Sequence, residues 1–167
     1  MAITGAELLE FYLAPQMEAY FLKKLSKSFS PDEIRVQIVE LLKGLSIYHN
    51  CKGGIPFSEE IDEVWHLWIL QTLQYAELCE KLPGKKFLHH SSVDYINKAI
   101  PADDGREIEM FSSFEIERLL SFFASYVYNF GSLEEPVMKY WPKAQLLQEA
   151  QDLSLQQFND YLQALAE

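Results

Sequence analysis

The chain is poor in cysteine, in positive charge and in long apolar runs, and each shortage closes off a class of protein. Two cysteines, Cys51 and Cys79, are too few for a disulfide framework and fit a reducing compartment. Lysine and arginine number 14 against 25 aspartates and glutamates, a formal charge of −11. Such a surface repels phosphate backbones, so nucleic acid is not an expected partner. No apolar run reaches the roughly 18 residues that cross a bilayer, so no membrane span is expected either. The opening MAITGAELLEFYLAPQ has neither a basic start nor an uninterrupted apolar centre, and no signal peptide is expected from it. The expected location is cytoplasmic, with delivery into another cell by a signal-independent route left open. Also missing are GxSxG, a Walker loop and GxGxxG, so a hydrolase elbow and nucleotide binding have no support.

What is present is a core. Hydrophobic residues make up 49% and aromatics 14% of 167 residues, enough for one folded domain and against disorder. The acidic charge serves solubility, or a protein partner with a basic face. There is no low-complexity segment, long linker or internal repeat.

The punctuation is that of an all-α, single-domain bundle of about six to eight helices with little or no sheet. Thr4 caps a first helix through GAELLEFYL, and Pro15 suits the first turn of a second, about residues 16–28. Ser30, Pro31 and Glu33 form a start signal for the helix after them, whose Ile34, Ile38, Leu41, Leu45 and Tyr48 keep a helical period. Ser58, with Glu59 and Glu60 in the first turn, opens a helix expected to run to about Lys81 and stop before Pro83-Gly84. Ser91 or Ser92 opens a short helix through VDYINKAI, ended by Pro101, and a loop follows to Gly105. Ser112 with Glu115 starts a long aromatic helix ending at Gly131, Trp141-Pro142 is a break, and Ser154 with Gln157 caps the last helix. Phe122, Tyr126 and Phe130 share a stripe and read first as core; if they, or the neighbouring Phe123 and Tyr128, are exposed, they would form a partner groove instead.

One stretch carries most of the chemistry: IDEVWHLWIL, residues 61–70. At 100° per residue, Asp62, His66, Ile69 and Leu73 share a stripe, while Trp65, Trp68, Thr72, Tyr75, Ala76 and Cys79 lie on another side. The run is apolar nearly all round except at His66, which predicts a central helix with a buried histidine partnered by Asp62 one turn earlier. His89 and His90 follow, so three of the four histidines fall close together in sequence. Asp, His and His make an oxygen–nitrogen donor set for zinc or iron with positions left for water, although the spacing is not HExxH. Cys79 projects away from the His66 stripe and reads as a small packed core residue. Nothing orders Cys51 or Cys79 with a histidine as a nucleophile–base pair.

Ile61-Asp62-Glu63-Val64-Trp65-His66, then Leu70, Thr72, Tyr75 and Cys79, then Gly84 and Leu88-His89-His90, resemble the uncharacterised domain of glycine-rich-domain-containing proteins. Its pattern runs D-E-x-W-H-x-H, then Y-x-x-x-C, a glycine and H-H-x-P. Tyr126 to Gly131 and Tyr140-Trp141-Pro142 resemble its later Y-x-x-x-F-G and W-P elements, so the likeness covers about residues 34–142, with helices over 4–29 and 154–166 packed on that core. Two positions depart: Trp68 stands for the second histidine of W-H-x-H, and Ser91-Ser92 lack the proline. The glycine-rich extension is absent as well, and no role of it is carried over. The resemblance implies a shared helical core and a His89–His90 loop folded back toward Asp62, Trp65 and His66.

Two functions are expected. The leading one is a non-catalytic protein-interaction module, an adaptor, inhibitor or regulator, in which Asp62, Trp65, His66, Tyr75, Cys79, His89 and His90 form a structural signature and no cofactor is bound. The alternative is a metal-dependent enzyme with Asp62, His66 and His89 or His90 as ligands and Glu63 as general base. A purely structural module, its histidines locking the core, is the third.

Overall fold

The computed structural model describes residues 2–50, 53–90 and 112–166. Among these residues there is no strand, and the chain forms nine α-helices. They are α1 (Gly5–Tyr12), α2 (Pro15–Leu25), α3 (Pro31–Ile47), α4 (Glu59–Ile69), α5 (Thr72–Lys81), α6 (Ser113–Phe130), α7 (Glu135–Met138), α8 (Pro142–Ala150) and α9 (Leu155–Ala166). The all-α bundle is as expected. The short helix expected at residues 93–100, the 101–105 loop and Cys51 lie outside the described residues.

Helix starts follow local chemistry. Thr4 with Glu7, Ser30 with Glu33 and Ser154 with Gln157 each close a reciprocal capping box, satisfying two otherwise orphaned backbone N–H groups per helix. The Ser58 and Ser112 hydroxyls accept from Ile61 and Glu115 N–H without the return bond. Gly131 ends α6 at φ 85°, a conformation open to glycine.

The single helix expected from Ser58 to Lys81 is instead two, α4 and α5, broken at Leu70-Gln71 with no glycine or proline there. Tertiary bonding accounts for the break. Trp65 Nε1 donates to the Tyr75 hydroxyl at 3.0 Å. Ten residues of continuous helix would separate these positions by about 15 Å along the axis, so the bond requires the chain to turn. This break, with α7 and α8 in the stretch read only as a Trp141-Pro142 break, raises the helix count above the expected range.

α3 is the central element, packed against α1, α2, α4 and α6, and α9 lies along α6. Its Ile34, Ile38, Leu41 and Leu45 are buried, as their period predicts. So is Glu40, whose carboxylate accepts from Tyr126 Oη at 2.8 Å, Trp141 Nε1 at 2.7 Å and Lys43 Nζ at 2.8 Å. Burial, then the Glu40 charge, push the Tyr126 phenol above its ordinary value and keep it a donor. Trp141 also meets the rings of Phe57, Phe122, Phe123 and Tyr126, and Phe57 bridges onward to Trp65. Phe122, Phe123 and Tyr126 are thus core, whereas Tyr128 is exposed. No helix among the described residues is long and apolar enough to cross a membrane.

Candidate metal centre

α4 buries Ile61, Val64, Trp65 and Trp68, an i, i+3, i+4, i+7 stripe that faces the bundle. The stripe leaves Asp62 and His66 on a flank, and their side chains are 35% and 42% exposed. This corrects the expectation of a buried His66. Two of the apolar neighbours behind that expectation, Leu67 and Ile69, are only partly covered, so α4 is amphipathic rather than enclosed. The Asp62–His66 pairing itself is present, with Nδ1 3.3 Å from Oδ2.

The third member arrives from the far side of α5. Gly84, at φ 88°, and Lys85, at φ 46°, reverse the chain after α5, and residues 86–90 return toward α4. The Tyr75 hydroxyl, which accepts from Trp65, donates onward to the Leu88 carbonyl at 2.7 Å. Burial pushes its phenol above the ordinary value, so it stays protonated and able to donate. Two residues later His90 lies on Trp65, ring centroids 4.4 Å apart, and 4.6 Å from the His66 ring. His90 Nε2 is 3.3 Å from Asp62 Oδ1. That nitrogen is screened from solvent, and among the described residues it forms no hydrogen bond, because the Asp62 contact falls outside hydrogen-bond geometry. Desolvation pushes the His90 imidazole below its ordinary value; the Asp62 carboxylate opposes that shift and the His66 imidazole adds to it.

One donor atom each from Asp62, His66 and His90 therefore lies within 4.8 Å of the others. Ligands across a tetrahedral ion with bonds of about 2.0–2.1 Å stand roughly 3.3–3.4 Å apart; His66 Nδ1 stands that far from Asp62 Oδ2, and His90 Nε2 from the other carboxylate oxygen, Oδ1. Rotation of the half-exposed His66 can close the remaining gap. The other predicted residues fall outside this cluster. His89 is exposed and stacks on Phe87 at 5.0 Å, so of the two adjacent histidines the fold selects His90. Cys79 is buried within the core, and Glu63 is exposed, three residues before His66. Trp68 points into the core against Phe21, at 5.3 Å. Position 68 is thus on the opposite side of α4 from the cluster, and the residue there is not a missing member of it.

The Trp65–Tyr75–Leu88 chain is not legible in the sequence. Its only signal was the pair of buried aromatics with polar tips, and the helix break that joins them was not visible. Comparison of the chain with family models, with curated proteins and with solved structures gave no match.

Proposed function

We propose that this chain holds one divalent transition metal ion, zinc or iron(II), through Asp62, His66 and His90, as the reaction centre of a metal-dependent enzyme. The observation that carries this reading is the approach of three donors from two separate segments, with the screened His90 Nε2 3.3 Å from the Asp62 carboxylate yet hydrogen-bonded to nothing among the described residues. One carboxylate and two imidazoles suit zinc and non-haem iron. The centre lies at the surface, with His66 and Asp62 partly exposed, so a metal there faces water on its outer side. Three protein ligands with an outward position is the pattern of catalytic rather than closed structural sites. Asp62, His66 and His90 would hold the ion, and a zinc held by such a set would supply an activated water at neutral pH. Glu63, exposed one residue after Asp62 on the same helix, would be the candidate general base in this reading.

The test is metal analysis of protein purified without a histidine tag. The expected result is one zinc or iron per chain in the wild type, near none in Asp62→Ala, and a lower melting temperature in chelator. No zinc, iron or manganese, with unchanged melting in chelator, would overturn the proposal.

The interaction module is the second reading, favoured by an open groove between α6 and α9. Exposed Tyr128, Tyr161 and Leu165 line it. A pull-down from the native cell that recovers a specific partner, lost on Tyr128→Glu, supports it; recovery of no specific partner counts against it.

A further inference from the structure

We propose that Tyr75 is a positioning residue of the metal centre, holding the 86–90 segment so that His90 reaches the ion carried by Asp62 and His66. This rests on the metal reading above and adds to it a residue that touches no metal.

Asp62 and His66 are one turn apart on α4, so their donors are set by helix geometry. His90 has no such constraint: it sits in a non-helical segment beyond a reversed turn. Among the described residues, the hydrogen bond tying that segment down is the one from the Tyr75 hydroxyl to the Leu88 carbonyl, 2.7 Å. The same oxygen accepts from Trp65 Nε1 at 3.0 Å. Trp65 in turn is the ring on which His90 lies. One hydroxyl therefore fixes both the backbone two residues before the ligand and the aromatic face that orients its imidazole. Tyr75 is 1% exposed, so water cannot easily replace these bonds. Phe87, packed edge-on to the Tyr75 ring at 5.3 Å, adds an apolar contact on the same segment. The α4–α5 break, which has no local cause in the sequence, gains a reason: it is what brings Tyr75 to Trp65.

The experiment compares zinc affinity and cobalt(II) absorption in tag-free wild type, Tyr75→Phe and Tyr126→Phe. Tyr126→Phe is the matched control, since it also removes a buried, hydrogen-bonded phenol, but one that serves Glu40 and Lys43. Loss of an outer partner of a metal ligand commonly weakens binding about 10- to 100-fold, and that is the range expected for Tyr75→Phe. Its cobalt bands should also change shape at saturation, reporting loss or displacement of one nitrogen ligand, while Tyr126→Phe keeps the wild-type affinity and spectrum. Equal affinity and spectra in all three proteins would overturn the inference, as would equal weakening in both variants, which would mark a loss of stability alone. A wild type that binds neither ion overturns the metal reading and this one with it. Should Tyr75→Phe fail to fold, solvent exchange of the indole N–H protons in the wild type decides. Saturating zinc is expected to slow exchange at Trp65 more than at Trp141, and an equal response at both contradicts the proposal.

Discussion

Replacing Glu40 by alanine should destabilise this protein more than most single substitutions can. The carboxylate is 1% exposed and serves three donors from three parts of the chain: Lys43 on α3, Tyr126 on α6 and Trp141 at the start of α8. Removal leaves an ammonium that is itself only 14% exposed, and leaves the Tyr126 hydroxyl and Trp141 indole N–H without their acceptor. Breaking a buried ion pair from one side costs about 3–5 kcal/mol, and individual hydrogen bonds to a charged group about 1.5–3 kcal/mol without simple additivity. We expect about 3–5 kcal/mol for Glu40→Ala. With a urea slope of about 2 kcal/mol/M, the midpoint should fall by about 2 M. Glu40→Gln keeps the volume and one acceptor oxygen, and should lose roughly half as much. The assay is urea unfolding followed by far-ultraviolet circular dichroism and by tryptophan fluorescence, to which Trp141 contributes. A loss below about 1 kcal/mol for alanine, or equal losses for alanine and glutamine, would refute the view that this acceptor ties α3, α6 and α8 together.

Three further outcomes follow from packing and capping. Gly44→Ala should cost about 1–3 kcal/mol in thermal unfolding, because a Cβ there would stand 2.5 Å from the Phe57 ring, which is wedged between Trp65 and Trp141. Ser30→Ala should cost about 1 kcal/mol, since Ser30 caps the central helix α3. The Ser30 backbone N–H, then its side chain, hold the Glu33 carboxyl below its ordinary value. A lowered folded value stabilises above the ordinary carboxylate value and is lost as pH falls through the lowered one; the larger, backbone bond survives in Ser30→Ala, so only the side-chain part is missing there and the deficit should narrow slightly in acid. Asn159→Ala should cost about 1–3 kcal/mol and speed amide exchange in α9, because Asn159 accepts from Leu133 N–H and donates to the Leu133 and Leu155 carbonyls.

What could be read from the sequence divides by range. Caps at Thr4, Ser30, Ser58, Ser112 and Ser154 were legible because capping needs only three or four neighbouring residues. The Asp62–His66 pair was legible for the same reason, as an i, i+4 contact on one helix. Three things were not: the break after Ile69, the burial of Glu40 and the choice of His90 over His89. Each depends on partners distant in sequence, Tyr75 for the break, Tyr126 and Trp141 for Glu40, and Trp65 for His90. Periodicity made His66 look enclosed because it counts apolar neighbours along one helix. It cannot see that, among the described residues, no other helix covers the Asp62 flank.

The adjacent histidines offer the most direct test of the central claim, since they share sequence context and differ in where the fold sends them. Zinc titration by calorimetry on tag-free wild type, His89→Ala and His90→Ala separates the two. The proposed metal site predicts one tight zinc per chain in the wild type and in His89→Ala, and loss of that binding in His90→Ala. Retention of wild-type affinity in His90→Ala, or its loss in His89→Ala alone, would contradict it.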